Sequence, residues 1–129
     1  MSMENYIYTN INPMKKRNGD CVIQALGIAL DKSWEEVYLE LAEVGLLLYS
    51  MMNNNDTWDL YLRNHGFSRH AISNSCPDCY AVIDFCRDHP YGTYVLGTGN
   101  HAIAVIDGII RDAYNSGLEI PIVYYRKEN

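Results

Sequence analysis

Apolar residues follow one another almost without interruption from Cys21 to Leu30. The turn signal Asn18-Gly19 comes directly before this run, and Asp20 is a residue type that commonly begins helices. A helix that is apolar on all sides has to be buried. We therefore predict a central, buried helix with Cys21 as its first residue.

One-sided apolar patterns predict further helices in the first two-thirds of the chain. Ser33 and Glu36 form a capping box for a second helix, and residues 53–56 are turn and cap material that opens a third, ended by Gly66. The predicted fourth helix covers residues 75–88. We also predict a polar, irregular segment at residues 1–17 and, from a weaker pattern, a strand at residues 67–73.

The last third of the chain is rich in β-forming residues separated by turn signals. It predicts four strands, at residues 93–96, 101–106, 109–114 and 120–126. Helices followed by strands indicate an α+β protein, in which N-terminal helices, including the Cys21 helix, pack on a C-terminal antiparallel sheet. With 129 residues the chain has room for one domain, spanning 1–129.

The Asp107-Gly108 pair predicts a two-residue hairpin turn, and this turn fixes the pairing of its strands. Paired positions then sum to 215, which places His101 opposite Tyr114 and makes His101 and Asp112 diagonal neighbours roughly 7 Å apart. A histidine oriented by a carboxylate is the partner that a cysteine nucleophile requires. The alternative is a surface histidine near the end of a strand.

Cys21 is the candidate nucleophile, because unpaired N–H groups and the helix dipole at a helix N-terminus favour thiolate over thiol. The alternative is that Cys21 is a small buried hydrophobic residue. The net charge of −6 argues against nucleic-acid binding, although Lys15-Lys16-Arg17 could meet an anionic group because it lies just upstream of Cys21.

No signal peptide or membrane-spanning run is visible, so we expect a cytoplasmic protein with four reduced cysteines. Cys76, Cys79, Cys86 and His89 raise the possibility of a zinc site. On one continuous helix, however, Cys79 and Cys86 would lie about 10.5 Å apart along the axis, too far for one metal. We therefore expect core packing there, with no metal and no cofactor, and we assign no chemistry to the tyrosines, Tyr114, Tyr124 and Tyr125 included.

The segments 18–26 and 99–108, together with Asp112, resemble the small papain-like cysteine peptidases. The resemblance is greatest to short stand-alone bacterial and phage proteins related to the bacteriocin-processing peptidases. It implies a papain-like fold and a protein or peptide substrate. By position, it makes Cys21 the nucleophile, His101 the general acid and base, and Asp112 the orienting residue.

One position departs from this family pattern: Lys15 stands where these enzymes usually hold an oxyanion-binding glutamine, six residues before the cysteine. We assign the oxyanion hole to the Cys21 backbone N–H and to Asn18. Three functions stay open at this point: a cysteine hydrolase, a deamidase or transglutaminase with the same triad, and a papain-fold binding or inhibitory module without turnover, such as a phage protein acting on a host factor.

Overall fold

A computed structural model of the chain describes residues 5–16, 19–73 and 79–128. Within these ranges it contains four helices and six strands. The helices are α1 (Cys21–Leu30), α2 (Trp34–Leu48), α3 (Asn55–Asn64) and α4 (Val82–Asp88). The strands are β1 (Tyr6–Tyr8), β2 (Phe67–Ala71), β3 (Thr93–Gly97), β4 (Ala102–Ile106), β5 (Ile109–Asp112) and β6 (Val123–Lys127). The fold is α+β, and no helix in the described ranges has the length and apolar character needed to cross a membrane.

The six strands form one sheet in the order β1-β5-β4-β3-β6-β2. All neighbouring strands are antiparallel except β1 and β5, which are parallel. The four C-terminal strands, β3 to β6, are therefore antiparallel as predicted, but the sheet as a whole is mixed because β1 joins it. The prediction that residues 1–17 are irregular is wrong at β1. A strand of three residues carries almost no sequence pattern, and it forms here through backbone pairing with β5.

The sheet is buried on both faces, and β4 shows this by alternating between two cores. Ala102 and Ala104 contact the core built with α1, α2 and α3, whereas Ile103 and Val105 belong to the core beneath α4. The small alanines let α1 lie close to the sheet, since α1 packs mainly against β4. This packing places the first residue of α1 beside the end of β4.

Helix α1 is the buried central helix that the sequence predicts. Leu26 is fully buried at the core formed with α2 and α3, and only the two ends of the helix and Ile28 are partly exposed. The single strongly polar side chain, Gln24, is also buried, and it is satisfied by three partners. Its Oε1 accepts from the Ile11 N–H at 2.9 Å, and its Nε2 donates to Asn10 Oδ1 at 2.7 Å and to Asp20 Oδ2 at 3.2 Å.

Helix α4 begins at Val82, so the predicted helix over 75–88 is too long; residues 74–78 lie outside the described residues. The N–H of Val82 donates to the Glu119 carbonyl at 2.9 Å, and the N–H of Ile83 donates to the Gly117 carbonyl at 2.9 Å. These partners come from a loop far along the chain. Tertiary contacts therefore set the start of this helix, and local sequence did not reveal them.

The cysteines are not all reduced, contrary to the sequence-based expectation. Cys79 is disulfide-bonded, whereas Cys21 and Cys86 carry free thiols; Cys76 lies outside the described residues. Cys86 is buried in the α4 core, as the apolar stripe predicts. The geometric argument that placed Cys79 and Cys86 on one helix does not apply, because Cys79 precedes α4.

The hairpin joining β4 and β5 has the predicted register. Ala104 pairs with Arg111, Val105 with Ile110 and Ile106 with Ile109, so each pair sums to 215. Asp107 and Gly108 have φ values of 52° and 74°, the two positive angles of a type I′ turn. The turn chemistry therefore decided the register that brings His101 near Asp112.

Gly108 offers a stability test of this turn. A Cβ at Gly108 would lie 3.1 Å from the Cys86 carbonyl oxygen and 3.3 Å from Pro90 Cα, whereas one at Gly19, which has the same φ of 74°, would meet no described atom within 4 Å. We expect Gly19→Ala to lower the free energy of unfolding by about 1 kcal/mol and Gly108→Ala to lower it by about 2–3 kcal/mol. Chemical denaturation measures both, and equal losses would show that the backbone contacts at Gly108 have no effect.

Candidate active site

Cys21 is the first residue of α1, and the N-terminus of this helix is not capped by a side chain. Asp20 occupies the predicted N-cap position, but its carboxylate makes no capping hydrogen bond with the backbone N–H groups of the first turn. Asp20 Oδ2 accepts from Trp34 Nε1 at 2.8 Å, from Gln24 Nε2 at 3.2 Å and from Asn12 Nδ2 at 3.4 Å. The amide groups of the first turn thus face no capping carboxylate, and a negative charge at Cys21 is favoured.

His101 and Asp112 lie together at the ends of β4 and β5. His101 Nε2 and Asp112 Oδ2 are 2.8 Å apart, and both side chains are about nine-tenths or more buried, with exposed fractions of 10% and 6%. Strict alternation along β4 would put His101 on the α4 face with Ile103. His101 precedes the first residue of β4, however, and its ring contacts Cys21 across the end of the sheet.

A side-chain hydrogen bond joins Cys21 and His101, and because Nε2 is engaged by Asp112, Nδ1 is the ring nitrogen left for sulfur. Burial raises the pKa of the Cys21 thiol. The hydrogen bonds from His101 and from the Ala102 backbone, with the charge on His101, outweigh burial and bring that pKa below its ordinary value. The site therefore favours a thiolate at Cys21.

The pKa of His101 is raised to about 10. Burial lowers it, but hydrogen bonds and charges from Asp112 and Cys21 raise it by more. At pH values between the lowered pKa of Cys21 and the raised pKa of His101, the two side chains are expected to be a thiolate and an imidazolium. Cys86 provides the contrast within the same chain, since burial without a cationic ring beside it raises the pKa of its thiol to about 11.

Asp112 is held by two further donors, neither of which was predicted from the sequence. The Ser116 hydroxyl donates to Asp112 Oδ2 at 2.8 Å, and the Ala113 N–H donates to Oδ1 at 2.8 Å. Ser116 is only 1% exposed. It lies four residues beyond Asp112, past the end of β5, so no periodic pattern could have identified it.

The hydroxyl of Ser116 fixes the carboxylate that orients His101. We expect Ser116→Ala to lower the free energy of unfolding by about 1.5–3 kcal/mol, because a buried hydrogen bond to a charged group is lost. We also expect it to slow alkylation of Cys21 near pH 6. Ser68→Ala is the matched control, since the Ser68 hydroxyl donates to the Glu128 carboxylate at the surface and its loss should change stability little. Similar losses for both variants would contradict the positioning role of Ser116.

Tyr114 was assigned no chemistry from the sequence, but its ring stacks on that of His101, with centroids 5.2 Å apart. The hairpin register predicted from the sequence already pairs positions 101 and 114, so this contact could have been predicted. Tyr114 is half-exposed and its hydroxyl donates to the Glu119 carboxylate. Tyr125, by contrast, is 3% exposed and packs with Trp58.

Two cavities meet at Cys21 and His101, and each also includes Gly19 and Asn100 in its lining. One, of about 530 Å³, extends towards β3 and β6; we call it the tryptophan cavity, lined by Val22, Asn55, Trp58, Asp59, Arg63, Arg69 and Tyr125 among others. The other, of about 540 Å³, extends towards β5 and β1; we call it the lysine cavity, lined by Tyr8, Asn10, Lys15, Lys16, Gln24 and Tyr114 among others. Because β4 is central in the sheet, the cavities extend from Cys21 in opposite directions.

The structure thus brings together Cys21, His101 and Asp112, the three side chains predicted from the sequence. Asn18, predicted for the oxyanion hole, lies outside the described residues. No three His, Cys, Asp or Glu side chains of residues 5–16, 19–73 and 79–128 are grouped so as to hold a metal ion. The absence of a metal and of a cofactor stays a prediction.

Comparison with protein-family models, with curated proteins and with solved structures gave no match in any of the three cases.

Proposed function

We propose that this protein is a papain-like cysteine hydrolase that cleaves an amide bond of a protein or peptide through a thioester at Cys21. The observation that carries the proposal is the hydrogen-bonded row Cys21–His101–Asp112, which starts at an uncapped helix N-terminus and lies where two cavities meet. Cys86 is the contrasting case: it is buried in the core beneath α4, and burial raises the pKa of its thiol by more than the charge of Arg87 lowers it.

In the first half of the reaction, the Cys21 thiolate attacks the carbonyl carbon, and the carbonyl π electrons move to oxygen. The backbone N–H of Cys21 and the dipole of α1 stabilise this oxyanion, with Asn18 proposed as a second donor. His101 then gives its Nδ1 proton to the amide nitrogen as the C–N bond breaks. The products are a free amine and a thioester on Cys21.

In the second half, His101, now neutral, takes a proton from a water molecule that attacks the thioester carbonyl. The oxyanion re-forms, the C–S bond breaks, and the Cys21 thiolate leaves beside a His101 imidazolium. Asp112 stays ionised throughout and holds Nε2–H, so that Nδ1 always faces sulfur. The resting thiolate–imidazolium pair is thereby regenerated with a carboxylic acid as the product.

The same row of residues also suits a deamidase or a transglutaminase. Both of these enzymes act on the side-chain amide of Gln, whereas a peptidase acts on a backbone amide. Water accepts the acyl group in a deamidase, and an amine accepts it in a transglutaminase. Incubating the protein with a mixed peptide library and a primary amine, followed by mass spectrometry, separates these reactions. Backbone cleavage indicates a peptidase, Gln-to-Glu conversion a deamidase, and amine incorporation a transglutaminase.

We expect Cys21→Ala to abolish every such product, because the thioester cannot form, and Cys86→Ala to leave the products unchanged. Loss of products in both variants would indicate damage to the fold, which circular dichroism checks. If the wild-type protein forms no product and its Cys21 reacts like an ordinary thiol, the chain is a binding or inhibitory module without turnover and the proposal is wrong.

A further inference from the structure

The side-chain amide of Asn10 is held in one orientation beside α1. Its Oδ1 accepts from the Asn12 N–H at 3.0 Å and from Gln24 Nε2 at 2.7 Å. A backbone N–H can only donate, so the atom that faces the Asn12 N–H has to be the amide oxygen. The amide nitrogen, Nδ2, therefore occupies the other position on the Asn10 side chain.

Gln24 fixes the same orientation independently. The Ile11 N–H donates to Gln24 Oε1 at 2.9 Å, which identifies the other amide atom of Gln24 as the nitrogen that donates to Asn10. Gln24 is only 4% exposed and belongs to the buried helix α1. Rotating the Asn10 amide by half a turn would place its NH₂ group against two donors and would leave the buried Gln24 nitrogen with one acceptor fewer.

Gln24 also locates Asn10 relative to the candidate nucleophile. Gln24 follows Cys21 by three residues in α1, so the two residues are neighbours on the helix surface, with Cβ atoms about 5–6 Å apart. The Gln24 side chain extends towards the start of the helix, since its Nε2 also donates to Asp20 Oδ2 at 3.2 Å. Asn10 accordingly lines the lysine cavity together with Cys21 and His101.

Nδ2 of Asn10 is the part of this amide that has no partner. Within residues 5–16, 19–73 and 79–128 it donates no hydrogen bond, although the oxygen of the same amide accepts two. It is not sealed in the core, because Arg111 Nε is the only fully buried side-chain nitrogen or oxygen of those ranges without a partner. Nδ2 is therefore an oriented donor that is accessible in the cavity beside Cys21.

We propose that Asn10 Nδ2 donates a hydrogen bond to the oxyanion formed during acylation of Cys21, which makes Asn10 a further catalytic residue. This inference rests on the proposed function. As the thiolate forms the S–C bond, the carbonyl π electrons move to oxygen, and this oxygen is held by the Cys21 N–H and by Asn10 Nδ2. When those electrons return, the bond to the leaving group breaks and Nδ2 is free again. Two hydrogen bonds orient the Asn10 amide before substrate binds, and such a preorganised donor needs no rearrangement during the reaction.

Two reagents test the donor on the whole protein, because only one of them develops charge on an oxygen. With p-nitrophenyl acetate, the Cys21 thiolate attacks the carbonyl carbon, an oxyanion forms, and p-nitrophenolate leaves as the acetyl thioester is produced. With iodoacetamide, the thiolate attacks the CH₂ carbon and iodide leaves, so no oxyanion forms. Both rates at Cys21 are read by mass spectrometry, and the acylation rate is divided by the alkylation rate. The fraction of thiolate enters both rates and cancels in this quotient.

In the wild-type protein we expect the quotient to exceed that of free N-acetylcysteine by about 10³ or more, and Asn10→Ala to lower it by about 10². Asn10→Asp keeps an oxygen for the Asn12 N–H and for Gln24 Nε2 but puts a carboxylate oxygen in the place of the donor. It should therefore lower the quotient at least as far. Circular dichroism checks the fold of each variant.

Asn115→Ala is the matched control. Asn115 Oδ1 accepts from the Gly117 N–H at 3.0 Å, two residues further on, as Asn10 does from Asn12, but Asn115 lines neither of the two cavities at Cys21. This variant loses the same kind of local turn without losing a donor at Cys21, so it should keep the wild-type quotient. An equal fall in Asn115→Ala would overturn the assignment of Asn10.

The outcomes separate this inference from the proposed function. If the wild-type quotient equals that of N-acetylcysteine, the site stabilises no oxyanion, and both the proposed function and the role of Asn10 are wrong. If the wild-type quotient is raised but both Asn10 variants keep it, Asn10 is not a donor and the hydrolase stands.

Discussion

Replacing His101 with alanine is expected to turn Cys21 into an ordinary thiol. In the wild-type protein the hydrogen bond and the charge of His101 hold the pKa of Cys21 below its usual value, so alkylation should stay nearly constant as the pH falls from 9 until that lowered pKa is reached. In His101→Ala the rate should fall about tenfold per pH unit below about 8.5, the ordinary thiol pKa. At pH 6 we expect the variant to be at least tenfold slower, and turnover to fall by about 10⁴ or more.

The measurement uses iodoacetamide and locates the label by mass spectrometry from pH 5 to 10. Cys86 is the internal reference, because burial raises the pKa of its thiol to about 11 and it should react only when the fold opens. His89→Ala is the matched control: His89 stacks on Phe85 at the α4 side, with ring centroids 3.8 Å apart, and is not among the groups that shift the pKa of Cys21. A wild-type profile that already follows an ordinary thiol, or one that His101→Ala leaves unchanged, would contradict the ion pair.

The second large effect is expected from Asp112→Asn, which should affect turnover far more than the reactivity of Cys21. The amide keeps the shape of the side chain, and its oxygen can still accept from the Ala113 N–H as Asp112 Oδ1 does now. Its NH₂ group then faces His101 Nε2 and makes this nitrogen an acceptor. The ring proton moves to Nδ1, so a neutral His101 cannot take a proton from water there. We expect turnover to fall by about 10⁴.

The same substitution should lower the pKa of His101 well below 10, because burial already lowers it and the hydrogen bond and charge of Asp112 oppose that effect. The imidazolium, present in the wild type until the pH approaches 10, should then be lost at lower pH. Titration of the His101 ring signals by nuclear magnetic resonance measures this shift. Asp107→Asn is the matched control, since Asp107 lies in the turn of the same hairpin and accepts from the Gly92 N–H at 2.9 Å. A His101 pKa that stays near 10 in Asp112→Asn would show that Asp112 does not set it.

These two variants divide the work of the site between two side chains. We expect His101 to determine whether Cys21 is a thiolate, and Asp112 to determine which nitrogen of His101 carries the proton and up to which pH the imidazolium persists. The hydrogen bond from Ser116 to Asp112 extends this row into the buried interior. The orientation of the ring therefore depends on a hydroxyl that cannot contact substrate.

The sequence by itself determined the parts of the protein that depend on local signals. An apolar run after a turn signal is sufficient to predict α1, and the Ser33 capping box is present as predicted, with Ser33 Oγ accepting from the Glu36 N–H at 3.1 Å. The Asp107-Gly108 turn fixed the register of β4 and β5 because only a few residue pairs adopt two positive φ angles readily. That register predicted the proximity of His101 and Asp112.

Only the tertiary structure decided the features that depend on partners distant in the chain. Strand β1 forms by pairing with β5, more than a hundred residues away, and α4 begins where loop carbonyls of Gly117 and Glu119 satisfy its first N–H groups. The proximity of Cys21 to His101 also required the packed fold. Periodicity and turn chemistry report what each segment can form, but which segments meet is set by burial and backbone pairing over the whole chain.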